Sequence, residues 1–175
     1  MTHAQRFLID LIDATRARRL TLVHGDFSPK NILVQHAADG DRLILLDHEV
    51  IHFGDPAFDI GFALTHLLSK AHHLIGWRDA FADAARRFWR VYHAGLDGPP
   101  WDDEREPMAV RHTLACLLAR VVGRSPLEYL APDERATQQH AVTDLMRDPP
   151  TAMGELINRF IERLPSDADD LTLVP

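Results

Sequence analysis

Residues 24–59 read HGDFSPKNILVQHAADGDRLILLDHEVIHFGDPAFD, and this stretch decides the fold. Two short apolar runs, ILV at 32–34 and LILL at 43–46, flank QHAADGDR. The Asp39-Gly40 pair in that linker is a strong hairpin signal. LTLV at 20–23 reads as one more strand. Downstream, Asp55-Pro56 supplies an N-cap and a first-turn proline. The helix that follows runs through Phe58, Ile60, Phe62 and Leu67 to about Leu74.

The hairpin register predicts which side chains meet. Closing the two strands about the linker pairs 32 with 46, 33 with 45 and 34 with 44, and so sets Asn31 opposite Asp47 on one face. Opposed side chains have Cβ atoms about 4.5–5.5 Å apart. Two oxygen ligands on Mg²⁺ need metal distances of about 2.0–2.1 Å, which that spacing permits. A slip of one residue would turn one side chain to the other face. Asp26 lies just upstream, on an irregular loop that Gly25 permits and Pro29 stiffens. A carboxylate beside a metal, but not on it, suits acceptance of a proton from a substrate hydroxyl. The three residues together point to phosphoryl transfer.

Working outward, residues 4–19 form a helix with Phe7, Leu8, Leu11 and Ile12 on one stripe. A long helix starts near Trp77 and ends at Gly95, Gly98, Pro99 and Pro100. Further helices are expected at about 104–122, closed by Gly123, at 133–146, capped by Asp133, and at 151–164, stopped by Pro165. Residues 1–165 then make one α+β domain, mostly α, with a small β-hairpin region, and 166–175 form a flexible tail.

Composition narrows the function. With 175 residues, 46% hydrophobic, the chain is long enough for a core without disulfides or a structural metal. Its 19 Lys+Arg against 26 Asp+Glu give a net charge of −7, which argues against nucleic acid. One cysteine, Cys116, rules out an internal disulfide and fits a reducing compartment. No apolar run approaches a membrane span of about 20 residues, and Asp10 and Asp13 spoil a signal-peptide core. A cytoplasmic protein with no membrane partner is expected.

H-G-D-x-x-x-x-N, a strand-end Asp and then G-D-P-x-x-D resemble the aminoglycoside phosphotransferase family, with its choline-kinase-like members and protein-kinase-like fold. HGDFSPKNILV is similar in layout to the kinase catalytic loop. GDPAFDIGFALTHLLSKA and LARVVGRSPLEYL also look like the family's helical lobe. The resemblance implies ATP and Mg²⁺ as cofactors and a small-molecule hydroxyl as acceptor. It implies Asp26 as catalytic base, His24 as an orienter of the catalytic loop, and Asn31 and Asp47 as metal ligands. Asp59 would bond the backbone of that loop from the following helix. Ser28 and Lys30, inside the loop, are candidate cofactor-binding residues. Glu49 shares an extended face with Asp47, as a second metal ligand or a solvated side chain, and Asp55 is a helix cap.

The family also has an N-terminal lobe before this loop, whereas residues 1–23 alone precede His24. No Gly-rich phosphate loop is present, and neither lysine, Lys30 or Lys70, lies upstream. The expected correspondence is to the C-terminal lobe, inactive alone and completed by a partner that supplies the N-lobe or by a second copy. Two other readings compete. One is a non-catalytic scaffold lobe; the other is a metallo-hydrolase built on His24, Asp47, His48 and His52. The acidic loop DGPPWDDERE (97–106) could line a pocket for a cationic substrate, or simply be solvated.

Overall fold

The computed structural model describes residues 1–96 and 103–165. The fold is α+β and mostly α, with six α-helices and two small two-stranded antiparallel sheets among the described residues. Helix α1 (His3–Ala17) opens with a capping box, in which Gln5 N–H donates to Thr2 Oγ1 and Thr2 N–H to Gln5 Oε1. Phe7 and Leu11 are its buried stripe. Strand β1 (Thr21–Val23) follows, then the loop of residues 24–31, then β2 (Ile32–Gln35) and β3 (Arg42–Leu45) as a hairpin.

Strand β4 (His52–Gly54) pairs with β1, Leu22 opposite Phe53. The sequence reading missed β4, because three residues with no apolar run carry no periodic signal.

Helix α2 (Ala57–His73) is the centre of the molecule. Ile60, Ala63, Leu64, Leu68 and Ala71 are buried on several faces, as befits a helix enclosed by others. Helices α3 (Arg78–Ala94) and α4 (Arg105–Val122) pack along it. The α2–α4 crossing is tight at Gly61, where a Cβ would sit 2.6 Å from His112 Cβ and from Thr113 N. Helices α5 (Pro132–Leu145) and α6 (Met153–Ile161) close the bundle, with Leu145, Leu156, Ile157 and Phe160 in one core.

Two expectations are corrected here. Asp133 does not cap α5. Pro132 occupies its first turn, and Glu134 reaches back to accept from Ala131 N–H at 2.7 Å. The hairpin register also differs by one: Ile32 faces Leu45, Leu33 faces Ile44 and Gln35 faces Arg42. Leu46, not Asp47, therefore lies opposite Asn31, and Leu46 N–H donates to Asn31 O at 2.8 Å. The physical reason lies at Asp47, whose left-handed backbone (φ 63°, ψ 61°) ends the ribbon and starts a 3-10 turn at His48–Val50. The shared-face argument for Asn31 and Asp47 falls with that register. Residues 97–102 of the acidic loop and the tail 166–175 lie outside the described residues.

Candidate functional site

The site is built on the loop between β1 and β2. Gly25 takes φ 84°, open to glycine at little cost, and so lets the chain turn sharply after β1. A Cβ there would meet Val50 O at 2.9 Å, so the loop sits directly on the turn that follows Asp47. From below, Asp59 in the first turn of α2 accepts from His24 N–H at 2.6 Å and from Gly25 N–H at 2.9 Å. One carboxylate thus satisfies two backbone donors and pins the loop to the central helix.

His24 is buried, and both ring nitrogens are engaged. Nδ1 accepts from Asp26 N–H at 3.2 Å, and so Nε2 carries the proton that is donated to Leu46 O at 2.8 Å. A ring held in that tautomer orients the loop and has no free nitrogen for a substrate proton. Because Leu46 N–H also reaches Asn31 O, both backbone groups of the residue before Asp47 are tied to the loop. This latch, and not a shared ribbon face, couples Asp47 to Asn31.

Asn31 is buried, and its amide nitrogen donates to Asp26 O and to Asp26 Oδ2, each at 2.9 Å. Lys30 Nζ lies 3.2 Å from the same carboxylate oxygen. With its nitrogen committed to Asp26, Asn31 presents Oδ1 as its acceptor, with no partner among the described residues. Asp26 keeps Oδ1 similarly open. Asp47 is exposed, and its carboxylate has no hydrogen bond or ion pair among the described residues. A left-handed aspartate costs about 1–2 kcal/mol, a strain typical of functional sites.

The remaining candidates are placed as follows. Glu49 is exposed in the 3-10 turn. Asp55 is buried, with Oδ1 accepting from Ala57 N–H at 3.0 Å and Oδ2 from Arg18 Nε at 2.8 Å, and so it caps α2 and ties it to the end of α1. Ser28 is fully buried, and its hydroxyl has no partner among the described residues.

The donor set fits a magnesium ion. An amide oxygen and a carboxylate are hard ligands, and Mg²⁺ takes one or two such groups plus phosphate oxygens and water. No group of three or more His, Cys, Asp or Glu among the described residues could hold a metal by itself. That leaves the metallo-hydrolase set of His24, Asp47, His48 and His52 without a converged site. His52 Nδ1, for one, is 3.0 Å from Val50 O.

A pocket of about 520 Å³ adjoins the loop, lined among others by His24, Phe27 and Asp59 and by Phe88 and Tyr92 of α3. The Tyr92 phenol is pushed up to about 12, first by burial.

These features define a class: a helical lobe that pins a His-Gly-Asp loop to a helix N-terminus and holds oxygen ligands beside it. Residues 2–102 match the phosphotransferase enzyme family, and the chain belongs to that family. Acyl-CoA dehydrogenase family member 10 of Mus musculus is 28% identical over 140 residues, a match covering 76% of this chain and 13% of that protein. The chain therefore spans 13% of the length of that curated relative. Among the described residues, no helix is long and apolar enough to cross a membrane.

Sequence reasoning missed one group of polar residues on α2, α4 and the segment before α5: His66, Ser69, Arg120 and Tyr129. Scattered along the sequence, they carry no motif. The scarcity of lysine, which marks Lys30 and Lys70, was the one available signal.

Proposed function

We propose that this lobe transfers the γ-phosphoryl group of ATP to a hydroxyl of a small molecule, with Mg²⁺ held by Asn31 and Asp47. Asp26 is the base. The acceptor oxygen bonds to phosphorus, the bond to the departing ADP oxygen breaks, and the hydroxyl proton passes to Asp26 Oδ1. Held by Asn31 and Asp47, Mg²⁺ would offset the negative charge that gathers on the phosphate during transfer.

The chain's own residues do the positioning. Asn31 and Lys30 hold the far oxygen of Asp26, so that the near one faces the acceptor. His24 and Asp59 fix the loop backbone. Orientation of this kind accounts for much of catalysis in reactions with little covalent work for the protein.

A second, β-rich lobe belongs to the reading, from another segment or another chain, and covers the hairpin. Leu33, Val34, Leu43 and Ile44 are 40–72% exposed there, an apolar surface that suits such a cover. The observation that carries the proposal is the cross-tied loop: one asparagine amide bonded to the base, its oxygen left for a metal.

Calorimetric titration of Mg-ATP into the chain, repeated with Asp47→Ala, tests it. Binding lost with the substitution is the expected result. Equal binding by both proteins would remove Asp47 from the metal site. Phosphoryl transfer that survives Asp26→Asn would remove the base.

A further inference from the structure

A second cavity, of about 530 Å³, is lined by residues of α1, β4, the first turn of α2 and α4. None of His24, Asp26, Lys30, Asn31, Asp47 and Asp59 lines it, and it shares no lining residue with the pocket beside the loop. Its wall is mainly apolar. Leu8, Leu11 and Ile12 come from α1, Phe53 from β4, Phe58 from α2 and Ala115 from α4. Pockets for small organic molecules run from about 300 to 1,000 Å³, and this one falls among them. Ile12 and Phe53 are 49% and 57% exposed, so part of the wall is apolar surface that an occupant would cover.

Two kinds of polar group interrupt that wall. The first is His112, which is 4% exposed and packs edge-on against Phe58. Its tautomer follows from Thr15. The Thr15 hydroxyl donates to Leu11 O at 2.7 Å, so its proton is spent. His112 Nε2, 3.2 Å from Thr15 Oγ1, therefore carries a hydrogen and donates to that oxygen. Nδ1 keeps its lone pair. It has no hydrogen-bond partner among the described residues, yet it is not one of the orphaned polar atoms sealed from solvent. Burial, the largest cause, pushes the ring's pKa down to about 4, so at neutral pH that lone pair holds no proton. A donor group on a bound molecule would satisfy it.

The second kind is cationic. Arg16 and Arg19, in the last turn of α1 and just beyond it, line the same cavity. Arg16 meets the exposed Asp13 at 3.7 Å, and Arg19 has no hydrogen bond or ion pair among the described residues. The carboxylate in the wall, Asp55, is committed to Arg18 Nε and Ala57 N–H. In a chain of net charge −7, an apolar cavity edged by two lightly engaged arginines favours an anion.

We infer that this cavity binds an amphipathic acid, an apolar body that carries a hydroxyl and ends in a carboxylate. The apolar body lies against Leu8, Leu11, Phe53 and Phe58. The hydroxyl donates to His112 Nδ1, and the carboxylate meets Arg16 and Arg19. Binding here uses none of the transfer residues and holds whether or not the lobe transfers phosphate.

The test is NMR titration of the full chain, with ¹⁵N-labelled histidine, in the absence of Mg²⁺ and ATP. The probes are 3-(4-hydroxyphenyl)propionate, 3-phenylpropionate and 3-(4-hydroxyphenyl)propionamide. The hydroxy acid should bind about tenfold tighter than either the acid without the hydroxyl or the neutral amide, a difference of about 1.4 kcal/mol for each group removed. It should also move the His112 Nδ1 resonance upfield, as acceptance of a hydrogen bond does, and 3-phenylpropionate should move it less. Replacing both exposed arginines, Arg16→Gln with Arg19→Gln, should erase the preference for acid over amide. Ala115→Phe fills the cavity and should abolish binding, its fold being checked by circular dichroism; if that variant does not fold, the arginine pair and the probe series still decide. Equal binding of the three probes, no binding of any, an acid preference that survives loss of the arginines, or a His112 resonance that stays in place with the hydroxy acid overturns the inference. So does undiminished binding by folded Ala115→Phe.

Discussion

The α2–α4 crossing and the β2–β3 hairpin meet at the same loop but are built on opposite terms. At the crossing, backbones approach so closely that Gly61 has room for no side chain, and Leu64, Leu68 and Leu114 are wholly enclosed. In the hairpin, by contrast, Leu33, Val34, Leu43 and Ile44 stand in the open. Side-chain burial therefore fixes the first region, and backbone pairing with a few polar latches fixes the second. The loop that carries Asp26 takes its rigidity from the helical side through Asp59, and its link to Asp47 from the hairpin side through Leu46.

Substitutions on the two sides should separate accordingly. Gly61→Ala forces a methyl group into His112 and Thr113 and should lower stability by about 3 kcal/mol, read from the urea midpoint. Two residues earlier on the same helix, Asp59→Ala should act on the loop: phosphoryl transfer is expected to fall about a hundredfold through misplacement of Asp26. Its unfolding midpoint should move less than that of Gly61→Ala. Matched global losses in both variants would break the distinction.

Acid should weaken the crossing in particular. His112 is buried, with Nε2 3.2 Å from Thr15 Oγ1, and burial, the largest cause, pushes its pKa down to about 4. The unfolded chain binds a proton near 6.5, the folded chain only near 4. Stability is therefore full above about 6.5 and falls as pH drops between those values. Between pH 7 and 5 the loss from this one residue should be about 2 kcal/mol, and His112→Asn should flatten that slope. The smallest effect is expected in the hairpin. Leu43→Thr, at 72% exposure, should change stability by no more than about 0.5 kcal/mol while reducing light scattering from self-association.

The contrast also explains what the sequence revealed. Helical periodicity and caps located α1 to α4 to within a few residues, because tightly packed helices must repeat their apolar positions every turn. The hairpin was visible from Asp39-Gly40, yet its register was not. A six-residue linker at 36–41 tolerates either pairing, and nothing in the residue type of Asp47 announces a left-handed backbone. Asn31 and Asp26 stood out as a spaced pair, but the bond from the amide of one to the carboxylate of the other needed coordinates. The Lys70–Tyr129–Arg120 group carried no motif, since its members lie on α2, on α4 and in the segment before α5, far apart in the sequence.

Gly25 has one more consequence. With no side chain between them, the turn bearing Asp26 and the turn leaving Asp47 lie backbone against backbone at Val50. Even a methyl group at position 25 would act as a wedge, prising the two acids apart without altering either of them.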